Sequence, residues 1–371
     1  MIGRRRAGHG AGGRAANRKR GIAMWTRFLG AVALAAVAAT AVAQDLPQTT
    51  IRFIGNTSSS YIWTEAEKTF IERTVPDAGK GRVRIEGVPH DQAGLRGPEI
   101  LGLLQNGTLQ FASYSVSYMA GDDPRFEGID LAGLTLNAAD ARKVVNAYRP
   151  VVARLMAEKF GVHLLALAPS PAQVFWCRIP VAGIQDLKGR KIRVFNPSLA
   201  DFVAGLGGTS VTIPFVEMIP AMQRGVADCA ITGTLNGNTA RLPEVTTHLY
   251  PMQAGWSVLF WAVNAQSWRA LDPAVRGFLD TQFKSLESTI WGLGEEIDQD
   301  GIACSTGGAC KRGRPYRMTL VPVTAEAMGE HGRILRDSVV ANWAKRCGRA
   351  CAEEWNQTVG KVVGITAPTA F

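Results

Sequence analysis

The sequence predicts an α/β protein of two domains, built from mainly parallel β-sheets flanked by helices. Residues 44–371, which follow an apolar run near the N-terminus, are long enough for two domains. Short apolar segments of strand length alternate there with longer segments whose apolar residues recur at helical spacing. This alternation is typical of parallel strands joined by crossover helices. No repeat of solenoid period occurs.

The predicted elements fall into two successive sets. The first set has strands over Thr50–Gly55, Arg82–Val88, Leu109–Tyr114 and Leu164–Leu167, and helices over Ile62–Thr74, Pro98–Asn106 and Ala138–Phe160. The second set has strands over Gln173–Arg178, Lys191–Val194, Thr209–Ile213 and Cys229–Thr232, and helices over Leu199–Leu206 and Val216–Arg224. A long helix over Ala270–Asp298 follows, with Asp272 and Pro273 as cap and first turn. Ligands of open α/β sheets bind at the carboxyl ends of the strands.

Residues 1–43 are interpreted as a leader and signal peptide. Arg27 precedes an apolar run over Phe28–Val42, and Ala41-Val42-Ala43 places small residues where a signal peptidase needs them. We therefore expect export to the periplasm and cleavage after Ala43. An uncleaved anchor is the alternative, which the short run disfavours. Met1 and Met24 both remain candidate starts.

The basic composition comes mainly from this leader. The chain has 41 Lys and Arg against 31 Asp and Glu, and eight of the cations precede Gln44. The remainder, 33 basic against 31 acidic residues, carries only +2. A basic surface for nucleic acid is therefore not predicted.

Six cysteines follow the leader, an even number that favours disulfides in an exported chain. Cys304 and Cys310 flank a Gly-rich segment that can bring their sulfurs together. Cys347 and Cys351 form a second candidate pair, with Gly348 able to bend a helix end that would otherwise strain the bridge. Two further cysteines, Cys177 and Cys229, lie on strand-like segments. They are either partners or buried free thiols.

Catalytic signatures are absent from the sequence. It has no nucleophile elbow, zinc-protease motif, P-loop or dinucleotide fingerprint. The five histidines lack metal-ligand spacing, so no metal or other cofactor is predicted. Glu295, Glu296 and Asp298 are expected on a solvated helix face. A secreted enzyme with Glu217 or His90 as acid/base is the alternative to a binding protein.

One stretch carries a recognisable order of residues. It reads DLKGRKIRV over residues 186–194 and PFVEMIPAMQRGVAD over residues 214–228. Upstream stand PHDQAG at 89–94 and LQNGTLQF at 104–111. This order resembles the DctP-type solute-binding subunits of tripartite ATP-independent periplasmic (TRAP) transporters. The resemblance spans nearly all of the chain after the leader.

The resemblance implies a carboxylate clamp at Arg193, whose planar fork of donors suits two parallel hydrogen bonds. The alternative is an arginine paired with a protein acid such as Glu217. Many relatives carry a second arginine where this sequence has Gln173, which weakens the case for a ligand needing two clamps. The other ligand-binding positions that we carry over are Asn56, Ser113, Tyr114, Phe215 and Thr232, with His90 and Trp256 as weaker candidates.

The resemblance also implies a two-domain periplasmic-binding-protein-like fold, with a ligand cleft between the domains and a long helix spanning both. Domain I is assigned to 44–170 and 256–300, and domain II to 171–255 and 301–371. The expected function is capture of a small organic acid by domain closure and delivery to TRAP membrane permease subunits. The chain itself would meet the membrane only through the permease. A sensory receptor feeding a membrane kinase, and a cation bridging the ligand, remain alternatives.

Overall fold

The computed structural model describes residues 46–371. The leader, the signal peptide and the predicted cleavage after Ala43 lie outside these residues. No helix in the described part combines the length and the apolar character that crossing a membrane requires.

The strands form a mixed sheet with helices packed against it, which confirms the α/β prediction. The strands are β1 (Thr49–Gly55), β2 (Val83–Pro89), β3 (Phe111–Ser115), β4 (Val162–Cys177), β5 (Lys191–Val194), β6 (Thr209–Thr212), β7 (Cys229–Gly233), β8 (His248–Tyr250), β9 (Trp256–Asn264) and β10 (Thr319–Leu320). Their order is β2-β1-β3-β9-β4-β7-β5-β6, with β8 paired to β4 and β10 to β8. β1 is parallel to β2 and β3, and β5 is parallel to β6 and β7. β4 and β9 run antiparallel to their neighbours on this path.

The fourth strand corrects the sequence prediction. Leu164–Leu167 and Gln173–Arg178 were predicted as separate strands, but both fall on the single strand β4, which ends at Cys177. Pro169 and Pro171 lie between the two predicted segments, and proline cannot donate to a ladder. The strand instead accommodates them at an irregularity between Pro169 and Ala172, where its pairing with β9 shifts register. Beyond this point β4 pairs with β7 and β8, so it joins the two parallel groups.

The helices agree with most of the predicted segments. They are α1 (Val75–Ala78), α2 (Ile100–Gln105), α3 (Ala138–Phe160), α4 (Pro197–Gly205), α5 (Met218–Gln223), α6 (Thr234–Thr239), α7 (Ala265–Ala270), α8 (Pro273–Thr306), α9 (Ala325–Ile334), α10 (Ala341–Cys347), α11 (Arg349–Trp355) and α12 (Lys361–Val363). The helix predicted over Ile62–Thr74 winds largely as π-turns, over Ile62–Glu67 and Phe70–Thr74. α3 has the predicted bounds, set by the Asn137 cap and by Gly161 in the left-handed conformation.

The long helix α8 starts after the predicted Asp272 cap but continues to Thr306, eight residues beyond the predicted end. Gly301 and Cys304 are buried in these last turns. Gly301 is packed so closely on α6 that an added Cβ would lie 2.3 Å from the Leu235 nitrogen. The solvated-face prediction is right for Glu295 and Glu296 and wrong for Asp298, which is buried and accepts a hydrogen bond from Thr234.

All six cysteines form disulfides in the structure. Cys177 and Cys229 are directly opposed on β4 and β7, and their sulfurs are bonded. Cys304 bonds Cys310, although Cys304 lies in the last turn of α8 rather than beside a loop. Cys347 bonds Cys351 across Gly348, which separates α10 from α11.

Candidate functional site

A cavity lies where the carboxyl ends of five strands meet, and we refer to it as the Arg193 cavity. β1 and β3 end on one side of it, and β5, β6 and β7 end on the other, as expected for ligand sites in α/β sheets. Its lining residues are Asn56, Thr57, Tyr114, Ser115, Tyr118, Ser170, Gln173, Arg193, Phe195, Phe215, Thr232, Asn236, Ser257 and Leu259.

Arg193 is held rigidly at the cavity wall by the backbone. Its side chain is fully buried. Nε donates to the Ile213 carbonyl and Nη1 to the Ile231 carbonyl, each at 2.9 Å. These carbonyls follow β6 and lie in β7, the strands on either side of β5. Nη2 has no hydrogen-bond partner, so a pair of donors on Arg193 remains unused at the cavity.

The positive charge of Arg193 has no protein counter-ion among residues 46–371. None of the ion pairs in this part of the chain includes Arg193. The suspected partner, Glu217, instead accepts from Arg96 at 3.3 Å on the surface. Burial lowers the pKa of Arg193, and the neighbouring Tyr118 and Tyr114 oppose this shift. A guanidinium nevertheless stays charged in proteins, so this cation is buried and uncompensated.

Aromatic rings surround the guanidinium. Its Cζ lies 5.3 Å from the centre of the Phe195 ring, and Tyr118 stacks on Phe195 at 5.7 Å. The Tyr118 hydroxyl accepts a 3.0 Å hydrogen bond from the Phe215 amide, which ties the β3 side of the cavity to the β6 side. Tyr114 packs on Tyr118 at 4.8 Å. This wall offers flat apolar surfaces beside a single charge.

Neutral polar groups complete the lining. Gln173 is anchored by a 2.7 Å bond from its side-chain amide to the Pro171 carbonyl. Asn236 donates to the Ser170 hydroxyl at 3.1 Å, and its oxygen accepts from Ser60 at 3.2 Å. Asn56 directly follows β1, and Thr232 is the residue before the last of β7. Arg193 is thus the only charged residue that lines it within the described part of the chain.

Six of the nine predicted ligand-binding residues line the cavity: Asn56, Tyr114, Gln173, Arg193, Phe215 and Thr232. The other three do not. Ser113 is buried behind the wall and donates to Glu67. His90 packs edge-on against Tyr114 at 4.6 Å, and its Nδ1 lies 3.0 Å from the Leu95 carbonyl oxygen. Trp256 lines the neighbouring cavity instead.

The sequence did not single out several lining residues. Ser115 and Phe195 directly follow Tyr114 and Val194 at strand ends, so the strand-end rule could have found them. Tyr118 lies in the turn after β3. Asn236 and Ser257 carry no local signal, because α6 and β9 bring them to the cavity through tertiary packing.

Glu67 stabilises the backbone that follows β1, at one side of the Arg193 cavity. It is fully buried and accepts from the Asn56 amide at 2.7 Å, the Trp261 indole at 2.9 Å and the Ser113 hydroxyl. Burial raises its pKa to about 7, although these donors oppose the shift. The carboxyl therefore fixes the backbone that presents Asn56.

A second, much smaller cavity adjoins the first and shares Gln173, Phe195 and Ser257 with it; we refer to it as the Asp130 cavity. Asp130 Oδ2 accepts from Ser117 at 2.6 Å and from the Val258 amide at 2.9 Å. Its Oδ1 is buried without a partner. Burial raises the pKa of Asp130 to about 7.

Residues 46–371 contain no cluster of three or more His, Cys, Asp or Glu side chains that could hold a metal ion. Glu217 and His90, the acid/base candidates of the enzyme alternative, do not line either cavity.

Comparison with known proteins identifies relatives of this chain. The profile of bacterial extracellular solute-binding protein family 7 (DctP) matches residues 54–302. The ectoine-binding periplasmic protein TeaA of Halomonas elongata is 26% identical over 53% of this chain and 60% of its own length. The C4-dicarboxylate-binding periplasmic protein DctP of Rhodobacter capsulatus is 23% identical over 60% of this chain and 67% of its own. The chain thus spans about 60% of the length of the first of these relatives.

Solved structures share the fold. DctP7 of Bordetella pertussis, a solute receptor binding pyroglutamic acid, superposes with a TM-score of 0.74 at 22% identity, covering 83% of this chain and 98% of that one. The sugar acid binding protein of Advenella mimigardefordensis, in complex with galactonate, gives 0.75 at 17% identity, covering 86% and 100%.

Proposed function

This chain belongs to family 7 of the bacterial extracellular solute-binding proteins, the DctP-type receptors of TRAP transporters, and from that premise we propose that it captures a small organic acid outside the cytoplasmic membrane and delivers it to a membrane permease. The proteins of this family are binding proteins rather than enzymes, which agrees with the prediction from the sequence.

The observation that carries the proposal is the uncompensated Arg193. A buried cation without a counter-ion is costly, and proteins normally pair such a charge. An organic acid in the cavity would place a carboxylate against Nη2 and the free hydrogen of Nη1, and would satisfy both the charge and the unused donors. The neutral polar residues and the aromatic wall would then hold the rest of the ligand.

The ligands of the structural relatives support this chemistry. Pyroglutamic acid and galactonate, bound by the two receptors compared above, both carry one carboxylate. A receptor from Shewanella oneidensis holds succinate. These proteins are under 25% identical to this chain, so we extend to it only the class, a small carboxylic acid.

We further assign domain I to 44–170 and 256–300 and domain II to 171–255 and 301–371, with the ligand bound between them. Among the residues that line the cavity, Asn56 and Tyr114 belong to domain I, and Arg193 and Phe215 belong to domain II. A ligand that contacts both domains stabilises the closed arrangement, and closure would present the receptor to its permease. The surface ion pair of Arg96 with Glu217 joins the same two domains.

A thermal-shift screen of organic acids against the mature protein tests the function. A ligand stabilises the fold by mass action, so the cognate acid should raise the melting temperature in a concentration-dependent way. The acid recovered after incubation should be chemically unchanged. If no carboxylic acid shifts the transition, or if the acid is converted, the proposal fails.

Small-angle scattering tests the domain closure. A saturating acid should reduce the radius of gyration, while α8 stays protected from hydrogen exchange in both states. An unchanged scattering profile alongside tight binding would contradict the domain closure.

N-terminal sequencing of exported protein tests the predicted cleavage. Mature protein should begin at Gln44; a chain retaining residues before it would overturn the predicted cleavage site.

A further inference from the structure

A surface groove adjoins the Arg193 cavity, and two aromatic residues form the wall that the two spaces share. The groove reaches solvent at Pro98, Gly121 and Thr212, which line it and are exposed. Tyr118 and Phe195 line both the groove and the cavity, and within residues 46–371 no other residue lines both. The two rings therefore separate the cavity from the solvent on this side.

These two residues belong to different domains of the proposed assignment. Tyr118 lies in the turn after β3 in domain I, and Phe195 directly follows β5 in domain II. Their rings are nearly parallel, at 18°, with centres 5.7 Å apart. The Tyr118 hydroxyl also accepts the 3.0 Å hydrogen bond from the Phe215 amide of domain II. An opening of the cleft must break both contacts, because each joins one domain to the other.

Tyr118 also lies next to the charged group of the cavity. Burial lowers the pKa of Arg193, and Tyr118 is the neighbour that most strongly opposes this shift. The ion pair of Arg96 with Glu217 joins the same domains, but its side chains are 69% and 45% exposed, and such pairs contribute little to stability. The part-buried contacts of Tyr118 are therefore better placed to hold the domains together at the groove.

We propose that Tyr118 is a gating residue. Its ring, stacked on Phe195, closes the groove side of the Arg193 cavity, and its hydrogen bond with the Phe215 amide latches the two domains in the closed arrangement. This deepens the proposed function and rests on the domain closure in it. Removing the hydroxyl alone leaves the ring in place but releases the latch, so the population of the closed arrangement falls.

Chemical modification of Arg193 in ligand-free protein tests the gate. Phenylglyoxal condenses with guanidinium groups, and it reaches the fully buried Arg193 only when the cleft opens. Peptide mass spectrometry measures the modification rate relative to the exposed Arg84 of the same protein. We expect Tyr118→Phe to accelerate modification about two- to tenfold, the effect of losing one hydrogen bond. Tyr118→Ala should accelerate it further, because the stacked ring is also lost.

Tyr148→Phe is the matched control. Tyr148 is buried, and its hydroxyl donates to the Arg125 carbonyl at 3.1 Å, so this hydrogen bond stays within domain I. The variant should leave the relative modification rate of Arg193 unchanged. If Tyr148→Phe accelerates modification as much as Tyr118→Phe does, the effect is general destabilisation and the gate is wrong.

Hydrogen exchange of the wild-type protein gives a second readout that needs no variant. The Phe215 amide should be protected by about the same factor as Arg193, because one opening exposes both. A freely exchanging Phe215 amide beside a protected Arg193 contradicts the latch, and so do equal modification rates in wild type and both Tyr118 variants. Neither readout requires an acid. A failed latch therefore leaves the organic-acid receptor standing, and the acid screen tests that receptor separately.

Discussion

Two arginines in different regions of the molecule show how a structural cation differs from a ligand-binding one. Arg346, on α10, donates to Glu127 at 2.8 Å and to Asp201 at 2.6 Å, so the protein supplies its counter-ions. Arg193, on β5, is more deeply buried and is held by two backbone carbonyls rather than by carboxylates. The first arrangement completes itself on folding. The second leaves a charge that only an added anion can compensate.

The largest expected effect is on ligand binding at Arg193. Arg193→Ala should abolish binding of the acid found in the screen, at a cost of about 3 kcal/mol or more. Arg193→Lys should also bind poorly, because an ammonium cannot reproduce the fork of the guanidinium. Calorimetry on folded variants measures both, and near-normal affinity in Arg193→Ala would remove this residue from the site.

The converse change at Arg346 should reduce stability and spare binding. Arg346→Ala leaves Glu127, whose side chain is 2% exposed, as a buried acid without its cation. We expect the free energy of unfolding to fall by about 3 kcal/mol, measured by urea denaturation. The acid should bind the folded variant within about twofold of wild type. Lost affinity with unchanged stability would contradict the contrast between the two arginines.

Much of this architecture could be predicted from local sequence. The bounds of α3 follow from Asn137 and Gly161, and the DLKGRKIRV segment located Arg193 on its strand. The continuity of β4 could not be predicted, because its partners β7 and β9 come later in the chain and override two prolines.

The Asp130 cavity was equally out of reach. Asp130 lies just after a 3-10 turn in a segment without a motif, and its donors Ser117 and Val258 are 13 and 128 residues away. The missing partner of Oδ1 becomes visible only when these elements are packed together. His90 shows the reverse case: its motif drew attention to it, but the fold places it behind Tyr114.

The buried carboxyl groups predict how the free energy of unfolding depends on pH. Three groups donate hydrogen bonds to Glu67, which forms no ion pair within the described part of the chain. Burial raises its pKa from 4.5 to about 7. The native state therefore holds a proton that the unfolded chain releases between these values. Its stabilisation is fully present below pH 4.5 and is lost as pH rises through about 7. Melting curves of ligand-free protein should show stability falling over this range.

Glu67→Gln tests this assignment, because glutamine cannot ionise. The variant should flatten the decline by an amount on the order of 2 kcal/mol between the two ends of the range. Asp130 is expected to contribute a decline of its own, since burial raises its pKa from 3.8 to about 7. An identical pH profile in Glu67→Gln would show that Glu67 is ionised throughout and that its raised pKa is wrong.

The smallest effect on stability is expected at the Cys304–Cys310 disulfide. Mass spectrometry of periplasmic protein alkylated without reductant should find no free thiols. Replacing Cys304 and Cys310 by serine should loosen the adjacent loop and change the melting temperature only slightly, because this bridge spans a separation of six residues. Six alkylated cysteines would contradict the pairing, and global unfolding of the double variant would contradict its local role.

A crystal structure of the protein with the acid identified in the screen tests the central claim most directly. We predict a carboxylate oxygen about 2.7–2.9 Å from Arg193 Nη2, with the guanidinium still bonded to the Ile213 and Ile231 carbonyls. An acid bound elsewhere, with Nη2 contacting only water, would contradict the assignment of Arg193 as the ligand's counter-ion.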